Sequence, residues 1–376
     1  MHIIRLKEQH LVIRSILLCF LGVLSLVGSA QAETPVIDAL GNPLALRNVQ
    51  HVICSGPGCL RLLVYLEAQD RVVAVDDIET KRRAFDARPY ALANPQLKKL
   101  PTFGEFRGHD NPERILLLNP QPQVIFKTYP TMGHDAAELQ QKTDIPVIPL
   151  NYGDLTAHRS DLYASLRIMG EVLGKQERAE AVIAFFDDQI HQLAARTKDI
   201  PDDQLPTVYI GGVAHKGPHG YQSTEPAYPP FLFVKTLPVT RLGDGSGKNL
   251  QHADIAKEKI VEWNPDYLFL DLSTLQLGES AGALYELRTD PAYATLTARK
   301  NGKVYGVLPY NWYTQNCGST LADAWFVGKL LYPDRFEYID PVQQADTIYT
   351  FLVNKPVFAE MNALFNSMAF RPIPMQ

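Results

Sequence analysis

A basic surplus is the first thing this sequence lacks. Its 376 residues hold 36 Lys and Arg against 41 Asp and Glu, a net charge of −5 with neutral histidines. Nucleic-acid binders show a basic face or stripe, so that class is excluded. Cysteine is scarce, with four residues. There is no CxxC pair and no HExxH motif, so the sequence offers no structural zinc site. A long apolar run is also missing. SILLCFLGVLSLVG, from Ser15, falls short of the ~20 residues that span a bilayer.

That short run has a different use. Arg5, Lys7 and Arg14 precede or flank it, and Ala30-Gln31-Ala32 follows as a small-x-small site. The pattern is a secretory signal peptide, residues 1–32, cut after Ala32; an N-terminal anchor helix is the alternative. Cys19 lies inside the apolar run and marks no lipoprotein site. Cleavage removes three basic residues and one acidic one, taking the net charge to −7. Cys54, Cys59 and Cys317 remain in an exported chain, where pairing is possible. An odd number leaves at least one unpaired. A Cys54–Cys59 bridge would clamp one loop; either residue with Cys317 would tie two lobes together.

The mature length exceeds what one hydrophobic core usually serves, so two lobes are expected. VIDALGNPLALRNVQ predicts two short strands around a Gly-Asn-Pro break. HVICSGPGCLRLLVYLEAQ predicts strand, glycine-rich turn and helix, and RVVAVDD a strand. ERILLL predicts a helix, QVIFKTY a strand, and HDAAELQQKTDIPVIPL a helix and strand. Strands alternating with helices indicate an α/β lobe with a parallel sheet. SDLYASLRIMGEVLG then predicts a helix closed by Gly174. A second helix runs from Gln176 to Lys198, with Ala179, Val182, Ile183, Phe186, Ile190 and Leu193 at helical spacing. It would span about 35 Å, enough for a rod between lobes. Beyond Pro201 the alternation resumes with PTVYIGG, ADIAKEKIVEWNPDYLFLD, KVYGVLP and TLADAWFVGKLLYP, and two helices close the chain. NPERILLLNPQPQVIFKTY and AKEKIVEWNPDYLFLDLS share the order helix, Asn-Pro break, strand. The boundaries expected are a first lobe at 33–158, a helical segment at 159–198, and a second lobe at 199–376.

Four segments carry a family resemblance over most of residues 36 to 335: HVICSGPGCLRLLVYLEAQDRVVAVDD, PTFGEFRGHDNPERILLLNPQPQVIF, KEKIVEWNPDYLFLD and YNWYTQNCGSTLADAWFVGKLLYPDRF. In that order and spacing the chain resembles the periplasmic substrate-binding proteins of iron-chelate and vitamin B12 ABC importers, most of all the iron-complex branch. The resemblance implies two Rossmann-like lobes joined by one long α-helix, the class III arrangement, with a shallow ligand cleft between them and small closure. It implies a monomer without a cofactor that hands its ligand to a permease driven by an ATPase. By position in the motif, Glu113 and Glu258 would dock on permease arginines. Acids meeting basic sockets suit reversible, salt-sensitive docking.

Ligands of doubly wound folds sit beyond the carboxyl ends of strands, and that rule selects loops. CSGPGC offers Ser55 and Gly56, with backbone amides at a helix start. FGEFRGHD offers Arg107, a partner for a carboxylate or catecholate. Lys127 and Tyr129 end a strand. The long loop from Gly211 to Phe231 holds His215, Lys216, His219, Tyr221 and Tyr228. PYNWYTQN holds Tyr310, Asn311, Trp312 and Tyr313, rings and amides suited to a bulky chelate. Arg107, Lys127, His215 and Lys216 would make the cleft basic and the ligand anionic, a ferric chelate before cobalamin; haem and an oxyanion such as molybdate are the other candidates. His219, Tyr221 or Tyr310 can ligate iron directly. A secreted enzyme is the rival class. CSGPGC is not Gly-x-Ser-x-Gly, and nothing in the sequence places a histidine beside Cys54. A ligand sensor is a third reading.

Overall fold

The computed structural model describes residues 35–44, 46–81, 84–241 and 250–375. The expected signal peptide, Cys19 included, lies outside them. No helix among the described residues is long and apolar enough to cross a membrane.

The first lobe begins with a two-residue antiparallel pair, Val36–Ile37 with Pro43–Leu44. Then follow β1 (Val52–Ser55), α1 (Cys59–Tyr65), β2 (Val75–Asp76), α2 (Pro89–Ala93), β3 (Thr102–Glu105), β4 (His109–Asp110), α3 (Pro112–Leu116), β5 (Val124–Thr128), α4 (Ala136–Thr143) and β6 (Val147–Leu150). β1, β5 and β6 pair in parallel, in that order. Every residue of β1 and β5 is buried, which suits runs of Val, Ile and Phe covered on both faces.

α5 (Arg159–Leu173) and α6 (Gln176–Thr197) form the helical segment. Gly174 ends α5 in the left-handed conformation at φ 63°, as a helix C-terminus favours. α6 extends about 33 Å at 1.5 Å per residue. The second lobe holds β7 (Thr207–Gly211), α7 (Pro229–Phe233), β8 (Leu237–Pro238), α8 (Lys257–Trp263), β9 (Tyr267–Asp271), α9 (Gly282–Thr289), β10 (Val304–Val307) and α10 (Cys317–Leu331). Its parallel sheet runs β8-β7-β9-β10. The helix–Asn-Pro–strand repeat of the sequence is α3 to β5 in one lobe and α8 to β9 in the other.

The last helices join what the long helix already connects. α11 (Pro341–Val353) packs on α10 and also on α1 and α2, and α12 (Phe358–Leu364) packs on α2. Arg178 of α6 donates to the carbonyls of Tyr65 and Phe351. The chain end then bonds to β10, with Ile373 N donating to Val304 O at 2.8 Å. The helices expected within the second lobe therefore touch both.

Candidate functional site

The loop from Pro309 to Asn316 leaves the carboxyl end of β10 and crosses to the first lobe. Asn311 and Gln315 pair as an antiparallel bridge, and Tyr313 and Thr314 both take positive φ, 51° and 63°. Such backbone is costly for residues other than glycine and persists only where surroundings hold it. Arg61 of α1 supplies much of that hold. It is fully buried. Its guanidinium donates to the carbonyls of Gln315 (2.7 Å), Trp312 (3.0 Å) and Tyr313 (3.2 Å), and to the Tyr152 hydroxyl. Tyr152 in turn donates to the Gln315 carbonyl at 2.6 Å. Tyr313 donates to the Asp76 carboxylate and accepts from the Arg107 backbone N–H. Tyr129 and Thr314 share a hydroxyl hydrogen bond of 2.6 Å. The loop is thus a clasp between lobes.

The rings that flank the clasp anchor it. Tyr310 is buried and donates to the Glu225 carboxylate. Trp312 is 7% exposed, its indole set edge-on against Phe365 of the chain end at 5.9 Å. Both were expected at the ligand, and the structure turns both inward. Ser55 and Lys127 depart likewise. Both are fully buried. Lys127 Nζ lies 2.7 Å from Asp110 Oδ2 and 2.9 Å from Ser55 Oγ, which also donates to Asp110. The lysine charge is neutralised inside the lobe and adds nothing basic to a cleft. The glycine turn is closed over too. A Cβ at Gly56 would lie 2.4 Å from the Thr128 carbonyl, and one at Gly58 (φ 77°) 2.2 Å from the Tyr152 ring. Residues 55–59 are all buried.

Tyr221 is fully buried between Tyr209 and Tyr293, so it reaches neither ligand nor metal. His219 Nε2 lies 2.7 Å from the His215 carbonyl oxygen, and the His215 ring stacks on His252 at 4.1 Å. Among the described residues no group of three His, Cys, Asp or Glu is placed to hold a metal ion. Cys54, Cys59 and Cys317 are buried and unpaired. Burial pushes the Cys54 thiol well above its ordinary range and Cys317 up to about 12. Neither suits a thiolate nucleophile.

An open cavity of about 610 Å³ lies on one side of the clasp. The first lobe lines it with Tyr129 to Met132 after β5 and with Leu150 to Asp154, His158 and Asp161 after β6; the second lobe adds Gln251, Asn311, Thr314 and Gln315. It sits at the carboxyl ends of β5, β6 and β10, where doubly wound sheets bind ligands. Its size falls in the usual range of small-molecule sites. Of the residues predicted for the ligand, Tyr129 and Asn311 line it. Arg107, His215 and Lys216 are exposed but lie outside its wall. The sequence reading missed Asn151 to Asp154, although NYGD follows a strand end as the selected loops do. It also missed Arg61, whose signal was one charge inside the apolar helix CLRLLVY.

One serine motif was passed over. Gly278-Glu279-Ser280-Ala281-Gly282 has the Gly-x-Ser-x-Gly form. A nucleophile elbow needs a strand directly before the serine, whereas here a 3₁₀ turn, Leu272–Leu277, separates β9 from it. Ser280 is exposed and makes no side-chain hydrogen bond among the described residues.

The comparisons bear on this geometry. The family described as periplasmic binding protein matches residues 52–310, well over half of the chain. The chain belongs to that family. No curated protein sequence matches it. Solved structures share the fold at low identity. A Haemophilus influenzae molybdate periplasmic binding protein, MolA, is 17% identical, with a TM-score of 0.62 over 86% of this chain and 98% of its own. The TroA-like periplasmic binding protein FepB of Veillonella parvula is 19% identical, with a TM-score of 0.61 over 86% and 97%. The periplasmic heme binding protein HutB of Vibrio cholerae is 19% identical, with a TM-score of 0.54 over 76% and 99%. The architecture is that of a class III binding protein, and the family is one of ABC-transporter solute-binding proteins.

Buried acids give this binding protein a pH signature. Burial raises Asp76 to about 8, with Glu79 adding repulsion; burial also raises Glu225 to about 8 and Asp271 to about 7. These carboxyls hold protons in the fold that the unfolded chain releases near pH 4. Stability should therefore fall as pH rises from about 4 to 8. Calorimetric melting should give a higher midpoint at pH 5 than at pH 8.5; a midpoint that rises with pH would contradict these assignments.

Proposed function

We propose that this protein captures a ferric chelate in the periplasm and delivers it intact to a membrane permease driven by an ATPase. The interlobe cavity supports this reading most. It is open to solvent, sized for a small chelate, and walled by amides, hydroxyls and a pair of near-parallel tyrosine rings, Tyr129 and Tyr152, 6.3 Å apart. Titration of the protein with ferric citrate, ferric siderophores, haem, cyanocobalamin and molybdate tests it, read by tryptophan fluorescence and by calorimetry. Saturable binding of a ferric chelate, recovered unaltered, supports the reading. Binding of molybdate alone would remove iron and keep transport, and an altered product would remove the binder class. Cobalamin is the second reading, because among the described residues no Lys or Arg lines the wall to disfavour an uncharged corrinoid.

Docking is assigned to Glu113 and Glu258. Both are exposed, both stand in the first turn of the helix that precedes a parallel strand, and neither makes an ion pair among the described residues. Glu113→Lys with Glu258→Lys should leave chelate affinity unchanged and reduce uptake at least tenfold, since like charges oppose across the interface. Uptake at the native rate would contradict the docking assignment.

A further inference from the structure

The chemistry of the cavity wall bears on the charge of its ligand, given the reading above that the ligand sits there. Among the described residues no lysine or arginine lines the wall. Its charged groups are Asp154 and Asp161, with His158 between them. Three wall amides, Asn151, Gln251 and Gln315, make no side-chain hydrogen bond to protein among the described residues, and Asn311 spends only its Nδ2, on the Ala214 carbonyl at 2.8 Å. They offer both donors and acceptors to a ligand.

Among the described residues, the buried cations behind the wall are engaged elsewhere, and the exposed Lys216 lies outside it. Arg61 lies behind Tyr152, and its NH1 and NH2 groups point at the Tyr152 hydroxyl and three carbonyls. Lys127 is paired with Asp110. The Arg107 guanidinium lies over the Phe106 ring at 5.4 Å. A helix start could still hold an anion, and α5 begins at this wall. Asp154 lies just before that start. Its Oδ1 accepts from the backbone of Thr156 (2.6 Å) and His158 (3.0 Å) and from the Thr156 hydroxyl (2.9 Å). An incoming anion would meet that carboxylate beside the helix start.

We infer that the ligand is an uncharged or cationic chelate rich in amide or hydroxamate oxygens and N–H groups, and that Asp154 and Asp161 exclude polyanionic complexes such as tricatecholates. This reverses the anionic ligand expected from Arg107, Lys127, His215 and Lys216. Exclusion by like charge is a recognised route to specificity.

Two ferric probes of similar bulk test it by calorimetry at low salt: an uncharged trihydroxamate complex and a trianionic tricatecholate complex. The trihydroxamate should bind at least about a hundredfold more tightly, equivalent to about 2.8 kcal/mol. Asp161→Lys places a cation on the half-buried rim, where among the described residues the one ion-pair partner is His158 at 3.5 Å. That variant should bind the tricatecholate at least about tenfold better than the native protein does, with the gain shrinking at high salt. Equal or tighter native binding of the tricatecholate would overturn the charge inference while leaving chelate capture intact. Binding of neither probe would overturn both the inference and the ferric reading of the cavity. Unchanged tricatecholate affinity in Asp161→Lys would show that the wall carboxylates do not select the ligand.

Discussion

Arg61→Ala should destabilise the protein by roughly 3–5 kcal/mol and lower its melting midpoint by about 5–10 °C. The substitution removes four hydrogen bonds at once. It leaves the Tyr313 carbonyl without a donor and the Gln315 and Trp312 carbonyls with only those from Tyr152 and Asn316, and opens a void beside Tyr90 and Tyr152, whose rings lie 5.4 Å and 5.7 Å from the guanidinium carbon. The loss also falls on strained backbone, since Tyr313 and Thr314 hold positive φ only while the clasp is gripped. Ligand affinity should drop with stability, because Gln315 and Tyr152 are cavity wall as well as Arg61 partners. Chemical denaturation and thermal melting of native and variant protein measure the first effect. A midpoint within 1–2 °C of native would mean that the clasp holds without its arginine.

Lys127→Ala should cost a similar amount for a different reason, about 3–5 kcal/mol, the range for breaking a buried ion pair. Asp110 would keep its charge with a side chain 1% exposed and only Ser55 as a donor; its Oδ1 is without a partner already. The double variant Lys127→Met with Asp110→Leu should recover much of the loss, because apolar residues replace both charges. Chelate affinity at a temperature where the single variant is still folded should stay within about twofold of native. A large specific loss of affinity without loss of stability would return Lys127 to the ligand.

These two residues show what was legible in the sequence. Elements were plain where local pattern decides. The spacing of Val182, Phe186 and Leu193 marked α6, Gly174 marked the end of α5, and the apolar run VIFKT marked β5. The rule that ligands lie beyond strand ends led to Tyr129 and Asn311, which line the cavity. Pairing across the fold was illegible. Nothing local to Lys127 says that Asp110 neutralises it, and nothing local to Trp312 says that Phe365 covers it. Interleaved rings and amides suit a ligand platform and an interlobe clasp equally well. Arg61 decides between them, from a helix 250 residues earlier. The basic cleft was expected from charges counted along the chain, while partners are set by contacts.

The cavity itself is tested most directly by filling it. Asn151 is exposed in the wall and its side chain bonds to no other described residue, so Asn151→Trp adds bulk where the ligand would sit without removing a contact. Calorimetric titration with the ferric complex that the native protein binds should show affinity reduced at least about a hundredfold, with the melting midpoint of the free protein unchanged. Native affinity in that variant would place the ligand elsewhere and contradict the account.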